Sequence, residues 1–253
     1  MTERSEGTRP EPARDARPFL VIQHEDDAPV GWLGEAWAAD GQAMDVRMPY
    51  QHLDDPTHRL PADLTDFSAL IVLGGEMGAN SDATSPWLTP TKELLRQAIS
   101  HDVPTLAVCL GHQLLTVATG GVAVRNPAGT AAGRIPVDLT SDGADDQLIR
   151  GLQGSHVIQY NSDIAAELPS SATTLAMAPD GSPQAVRFAP RAWGLQFHPE
   201  AGPHIFDQWT VDKPEPTAVA RAAAAEVREH QDDLRAVNDL IAQRFLEVTR
   251  SPH

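Results

Sequence analysis

Cys109 is the only cysteine in the chain, and it ends the apolar run Thr105-Leu106-Ala107-Val108 just ahead of Leu110-Gly111-His112-Gln113. A second apolar run, Trp193 to Phe197, ends in His198-Pro199-Glu200. A thiol, an imidazole and a carboxylate at the ends of predicted strands are the parts of a cysteine nucleophile with an oriented base. Strand, then C-x-G, then helix is the setting of a nucleophile elbow, whose tight turn lifts a side chain above the sheet's carboxyl edge. The N-terminus of the following helix adds N–H groups and a positive dipole end, which favour the thiolate. Pro199 biases His198 toward extended backbone, where residues two apart share a face, so Glu200 can reach the imidazole across the proline. Acyl chemistry also needs donors for a developing oxyanion. The Leu110 N–H, next after the thiol, is one candidate. The Gly75 N–H is the other, because the pair Gly74-Gly75 lacks the Cβ atoms that would keep a ligand away.

Alternating strands and helices must position these groups. Phe19 to Gln23, Ala43 to Met48, Ala69 to Leu73 and Thr105 to Cys109 read as strands, the first, third and fourth apolar enough to be buried on both faces. Gly31 to Ala39, Leu88 to Ser100 and Gly111 to Ala118 read as the helices between and behind them. This alternation predicts an α/β fold, a doubly wound and mostly parallel sheet with helices on both faces. From Gly120 onward the pattern changes to short β-like runs: Val122 to Val124, Ile135 to Leu139, Thr173 to Ala178, Gln184 to Phe188 and Trp193 to Phe197. Pro, Gly, Ser and Asp separate them, which suggests a small antiparallel addition to the same domain. His204 to Trp209 is expected to form one or two helical turns, Pro214 to Thr217 a linker and helix start, and Ala218 to Val248 a helix or helical pair packing on the sheet.

Composition narrows the function classes. A net charge of −16, with Lys92 and Lys213 the only lysines, argues against nucleic-acid or anionic-membrane surfaces. One cysteine excludes an internal disulfide and a cysteine-based zinc site, and a working thiol fits the reducing cytoplasm. Residues 1–18 carry charges and prolines without an apolar core and read as a disordered tail. His24, His52, His58, His101, His156, His204 and His230 lack metal-ligand spacing, so neither a metal nor another cofactor is expected. His24-Glu25-Asp26-Asp27 follows the first strand, at the edge where such sheets bind ligands.

Taken together, Gly74-Gly75, Cys109-Leu110-Gly111-His112-Gln113 and Gln196-Phe197-His198-Pro199-Glu200 resemble the class I, or triad, glutamine amidotransferase domain, over roughly Phe19 to Trp209. The nearest likeness is to stand-alone proteins akin to the amidotransferase half of GMP synthase. The resemblance implies a flavodoxin-like fold and attack by Cys109 on the side-chain amide of glutamine, with His198 protonating the ammonia and water cleaving the γ-glutamyl thioester. It also implies that Gln113 and the backbone near Gly74, Gly75 and Leu110 hold the substrate. Three departures stand out. Tyr160-Asn161-Ser162-Asp163 replaces a common Trp-His-Ser/Gly-Asp, Ala107 replaces the elbow's first glycine, and Gly75-Glu76-Met77-Gly78 replaces Gly-Gly-Pro. Glu76 is thus either a contact for a cationic substrate amine or a solvated loop residue.

No P-loop or other ATP motif is present, so the expected acceptor of ammonia is a separate synthetase subunit. The alternative is an autonomous γ-glutamyl hydrolase or peptidase. A non-catalytic binding protein of the same fold is a third reading, which the complete Cys109, His198 and Glu200 set disfavours.

Overall fold

The computed structural model describes residues 17–51, 58–213, 215 and 217–251. Its elements, in chain order, are β1 (Phe19–Ile22), α1 (Gly31–Ala39), β2 (Met44–Arg47), β3 (Ala69–Val72), α2 (Leu88–Ser100), β4 (Thr105–Val108) and α3 (Leu110–Ala118). There follow β5 (Val122–Arg125), β6 (Ala131–Pro136), β7 (Asp138–Leu139), α4 (Ser141–Ala144), β8 (His156–Asn161), β9 (Asp163–Glu167), β10 (Thr173–Met177), β11 (Pro183–Ala189) and β12 (Ala192–Leu195). The chain closes with α5 (Pro203–Thr210), α6 (Ala218–Glu229) and α7 (Gln231–Arg250).

An eight-stranded sheet runs in the order β2-β1-β3-β4-β12-β11-β10-β7. Its first five strands are parallel and the last three antiparallel, so the mostly parallel sheet with an antiparallel addition holds. The fold is therefore flavodoxin-like. One detail differs from expectation. The Trp193 run, grouped with the antiparallel strands, lies parallel to β4 and belongs to the parallel half as β12.

Alternation along the strands makes two cores. Phe19, Val21, Ile71, Leu106, Val108 and Trp193 face Leu33 and Trp37 of α1 and Ile241 and Phe245 of α7. Leu20, Ile22, Leu70, Val72 and Ala107 face α2 and α3 on the other side. Trp37 lies edge-on to Phe19 at 5.3 Å and tilted against Phe245 at 5.8 Å, and its Nε1–H donates to Ala242 O at 3.1 Å. The C-terminal segment is thus a helical pair, its second helix completing one face of the sheet. Thr217 caps the first, its hydroxyl accepting from Ala220 N at 3.0 Å.

Ile135 to Leu139 is two strands. Pro136 has no N–H to extend the β6–β8 ladder, and Val137 N bonds Ser155 O before Asp138 and Leu139 join β10. Strands β8 and β9 were not expected; they form ribbons with β6 and β5. The predicted tail falls mostly on residues outside the description. At its end Arg17 and Pro18 are already docked, their carbonyls accepting from Ser68. Pro214 and Pro216, in the expected linker, also lie outside the described residues.

Candidate active site

Strands β3, β4 and β12 are neighbours running the same way, so their carboxyl ends open on one spot. Gly74-Gly75 lies just beyond β3, Cys109 follows β4, and His198 comes three residues after β12. This is the rim where open α/β sheets hold their ligands.

Cys109 turns with φ 50 and ψ −105, a positive φ that a non-glycine residue adopts only under constraint. Its own N–H is held by Leu195 O at 2.7 Å and its carbonyl accepts from Gln113 N at 3.1 Å. Gly111 makes this elbow possible: a Cβ there would collide with Val72 O, against which helix α3 opens. Ala107 is accommodated, fully buried in the α2–α3 core.

His198 is buried, and its Nδ1 donates to Glu200 Oε1 at 2.7 Å. Its Nε2 lies 3.3 Å from Tyr160 O, the same carbonyl that Cys109 Sγ approaches at 3.8 Å. Both nitrogens therefore face oxygens that only accept when Glu200 is ionised, an arrangement satisfied on both sides by the imidazolium. Burial opposes that charge, but the negative charges of Glu200 and Cys109 and their hydrogen bonds outweigh it and hold His198 well above the usual histidine range. The geometry brings thiol, imidazole and carboxylate together in one chain.

Gly74 packs against the pair. A Cβ on it would stand 3.2 Å from His198 Cε1 and 3.6 Å from Cys109 Cβ. Gly75 sits in a tight space between Leu110 and His24: a Cβ there would lie 2.7 Å from Met77 Sδ and 3.1 Å from Leu110 Cδ2, so those side chains would have to give way. Glu25 Oε2 accepts the Glu76 N–H at 3.1 Å and ties down the same loop.

Cys109, His198, Gly75, Glu76 and Gln113 all line a cavity of about 280 Å³. Gln113 is more a wall than a free hand: its Nε2 donates to Asp163 O at 2.9 Å and to Gln196 Oε1 at 3.3 Å. Asn161 donates to the same Asp163 carbonyl at 3.0 Å and accepts from Gln159 at 2.8 Å. The Asn161 departure thus lands in a buried network that fixes the cavity's side. Glu76 is largely exposed at the mouth and pairs with Lys213 at 3.4 Å.

The His24-Glu25-Asp26-Asp27 segment divides. Glu25 lines the cavity, and burial, with Asp27 and Glu76 nearby, raises its carboxyl to about 6 despite the Glu76 N–H and Lys213. His24 is buried away from solvent, accepts from Trp87 Nε1 at 3.1 Å and is pushed down to about 3 by burial. Ala28, Arg125 and Trp209 also line the cavity without having been singled out for the site, and Tyr160 entered only as the first residue of the Tyr160–Asp163 departure. Trp209 closed the segment read as a helical turn, and only its place one helix beyond His198 could have marked it. A larger cavity of about 550 Å³ opens at the opposite end of the strands, beside Pro104 and Arg191, away from the thiol. Among the described residues no group of three His, Cys, Asp or Glu is placed to hold a metal, and no helix is long and apolar enough to cross a membrane.

Comparison with known sequences gives the family. The family model for glutamine amidotransferase class-I matches residues 37–213. The chain belongs to the class-I glutamine amidotransferase family. Within it, one of the subunits of the glutamine-hydrolyzing GMP synthase of Saccharolobus solfataricus is 30% identical over 149 residues, which cover 57% of this chain and 73% of that protein. A glutamine amidotransferase-like protein of Schizosaccharomyces pombe is 27% identical over 141 residues, 54% of this chain and 54% of that protein, so the matched stretch spans about half of that relative. A glutamine amidotransferase of Thermotoga maritima has the same fold, with a TM-score of 0.77 over 92% of this chain and all of that one, at 22% identity.

Proposed function

We propose that this class-I amidotransferase hydrolyses the side-chain amide of glutamine at Cys109 and passes the ammonia to a separate acceptor enzyme. The single observation that carries this reading is the buried Glu200–His198 pair lying beside the Cys109 thiol in one cavity, with His198 Nε2 and Cys109 Sγ both approaching the Tyr160 carbonyl. The Cys109 thiolate attacks the amide carbon, and the carbonyl oxygen becomes an oxyanion between the N–H groups of Gly75 and Leu110. His198, protonated and held by Glu200, gives its Nε2 proton to the amide nitrogen as the carbon–nitrogen bond breaks, so ammonia leaves and a γ-glutamyl thioester remains. Neutral His198 then takes a proton from water, whose oxygen attacks the thioester. Collapse breaks the carbon–sulfur bond, restoring the Cys109 thiolate and releasing glutamate.

Glu200 orients the ring and balances its charge, as the acid member of a triad does. Gly74 leaves room for imidazole and thiol to meet, and Gln113 with Asn161 keeps the cavity wall in place. The Saccharolobus relative is one component of a glutamine-hydrolyzing synthase, which supports a separate acceptor here. A reducing compartment such as the cytoplasm suits the free thiol.

One observation favours a second reading, a γ-glutamyl amide as substrate and water as the final acceptor. Glu25 and Glu76 line the cavity, which gives it carboxylates that could meet a cationic leaving amine. The two readings separate in steady-state release of glutamate from glutamine and from a panel of γ-glutamyl amides, with Cys109→Ser as control. Efficient use of glutamine supports the first. Turnover confined to a γ-glutamyl amide replaces it with the second.

A further inference from the structure

Trp209 lines the cavity, makes ring contact with His198, and has no part in the mechanism above. It lies in the last turn of α5, only 5% exposed, with its ring centroid 4.5 Å from that of His198 and the planes tilted by 55°. The indole also stacks on Tyr160 at 5.9 Å and 19°, and Phe206 meets it edge-on at 6.5 Å. Its Nε1–H donates to Asp27 O at 2.8 Å. One side chain therefore touches the imidazole, the residue whose carbonyl faces both imidazole and thiol, and the segment 25–28 at the cavity mouth.

Both in-plane nitrogens of His198 already have oxygen partners, and the indole supplies contact that neither hydrogen bond gives. A π-system this close to a cation attracts it, within the roughly 6 Å over which such attraction matters. The charged or titratable groups facing His198 are Glu200 from its own loop and Cys109 from the elbow, with Tyr160 from β8 at the cavity wall. Glu25 lines the cavity from the segment that Trp209 holds.

We propose that Trp209 is a positioning residue that keeps the His198 imidazolium against Cys109 and couples it to the segment 25–28. This rests on Cys109 being the nucleophile proposed above. The test is the pH dependence of Cys109 alkylation by iodoacetamide, a readout that needs no substrate, together with kcat and KM for glutamine. Trp209→Leu and Trp209→Met remove the ring, the methionine filling the gap more adaptably. Whichever of them retains a cooperative melt is expected to raise the alkylation midpoint by about half a pH unit, the shift that a lost cation–π contact implies. The kcat is expected to fall about tenfold with KM within about twofold, the pattern of a lost transition-state interaction. Trp209→Phe keeps an aromatic face and is expected to hold the midpoint near the parent's. An unchanged midpoint and kcat in a folded ring-free variant overturns the proposal, as does a phenylalanine variant shifted as far as methionine. His198→Ala separates the levels. If it moves the midpoint and the ring-free variants do not, only the role of Trp209 fails. If it moves nothing, the thiol–imidazole pair fails as well.

Discussion

His198 Nδ1 and Glu200 Oε1 stand 2.7 Å apart in a site where the two side chains are 4% and 1% exposed. Glu200 Oε2 has no partner among the described residues, so this carboxylate is committed to a single imidazole. A buried charge with one partner is costly unless that partner is also charged. The pair therefore favours the protonated ring, the form that the proposed mechanism requires for the departing amide nitrogen.

Glu200→Gln keeps the shape and removes the charge. Its kcat for glutamine is expected to fall by up to about 10⁴-fold, the scale seen when the acid of a convergent triad is neutralised, with KM little changed. Steady-state kinetics check this. A loss confined to KM would assign Glu200 to substrate binding instead.

Gly75→Ala places a methyl among Met77 Sδ, His24 Cβ and Leu110 Cδ2, all within 3.1 Å. The Met77 side chain or the loop must shift to admit it, and the expected loss in kcat is up to about 10²-fold, the scale of a single misplaced oxyanion donor. The melting temperature is expected to change little, because the loop lies outside the sheet ladders. Parallel kinetic and thermal measurements separate the two effects.

Gly111→Ala should act on stability. The new Cβ would collide with backbone at Val72, inside the packed seam between α3 and β3. Overpacking of this kind costs about 1–3 kcal/mol, read as a lower denaturant midpoint at unchanged slope.

Two buried histidines predict acid sensitivity. Burial lowers His112 to about 4 and His24 to about 3, from an ordinary value of 6.5. Above pH 6.5 both are neutral whether folded or unfolded and cost nothing. As pH falls below 6.5 the unfolded chain binds protons that the folded chain refuses, so stability drops by about 1.4 kcal/mol per pH unit for each histidine. The loss from His112 is complete near pH 4 and that from His24 near pH 3. Glu25, raised to about 6, binds a proton in the folded chain first and offsets about one histidine's slope between pH 6 and 4.5, so the test is differential. Between pH 6.5 and pH 5, His112→Gln should lose less stability on acidification than the parent, by about 1.4 kcal/mol per pH unit in denaturant unfolding.

The groups proposed to react were singled out in the sequence because each closely follows an apolar strand, and the strand order places β3, β4 and β12 side by side. The helices Gly31–Ala39 and Leu88–Ser100 matched their predicted bounds, since each carries its apolar residues at helical spacing. Strands β8 and β9 were not legible: Gln159, Tyr160 and Asn161 are polar or amphipathic residues buried or half-buried by a carboxamide network that local patterning does not encode. His24 read as part of a polar edge, yet its burial depends on Trp87, far along the chain. Trp209 was missed for the same reason, its partners His198, Tyr160 and Asp27 being brought together only by the fold.

The central claim is that glutamine passes through a thioester on Cys109. The most direct measurement is acid quenching of the enzyme during turnover of glutamine, followed by mass spectrometry of the peptide that carries Cys109. The account predicts a γ-glutamyl adduct on Cys109 that forms within the first turnover and is absent, along with glutamate release, in Cys109→Ser. Glutamate release at the parent rate in Cys109→Ser would contradict it.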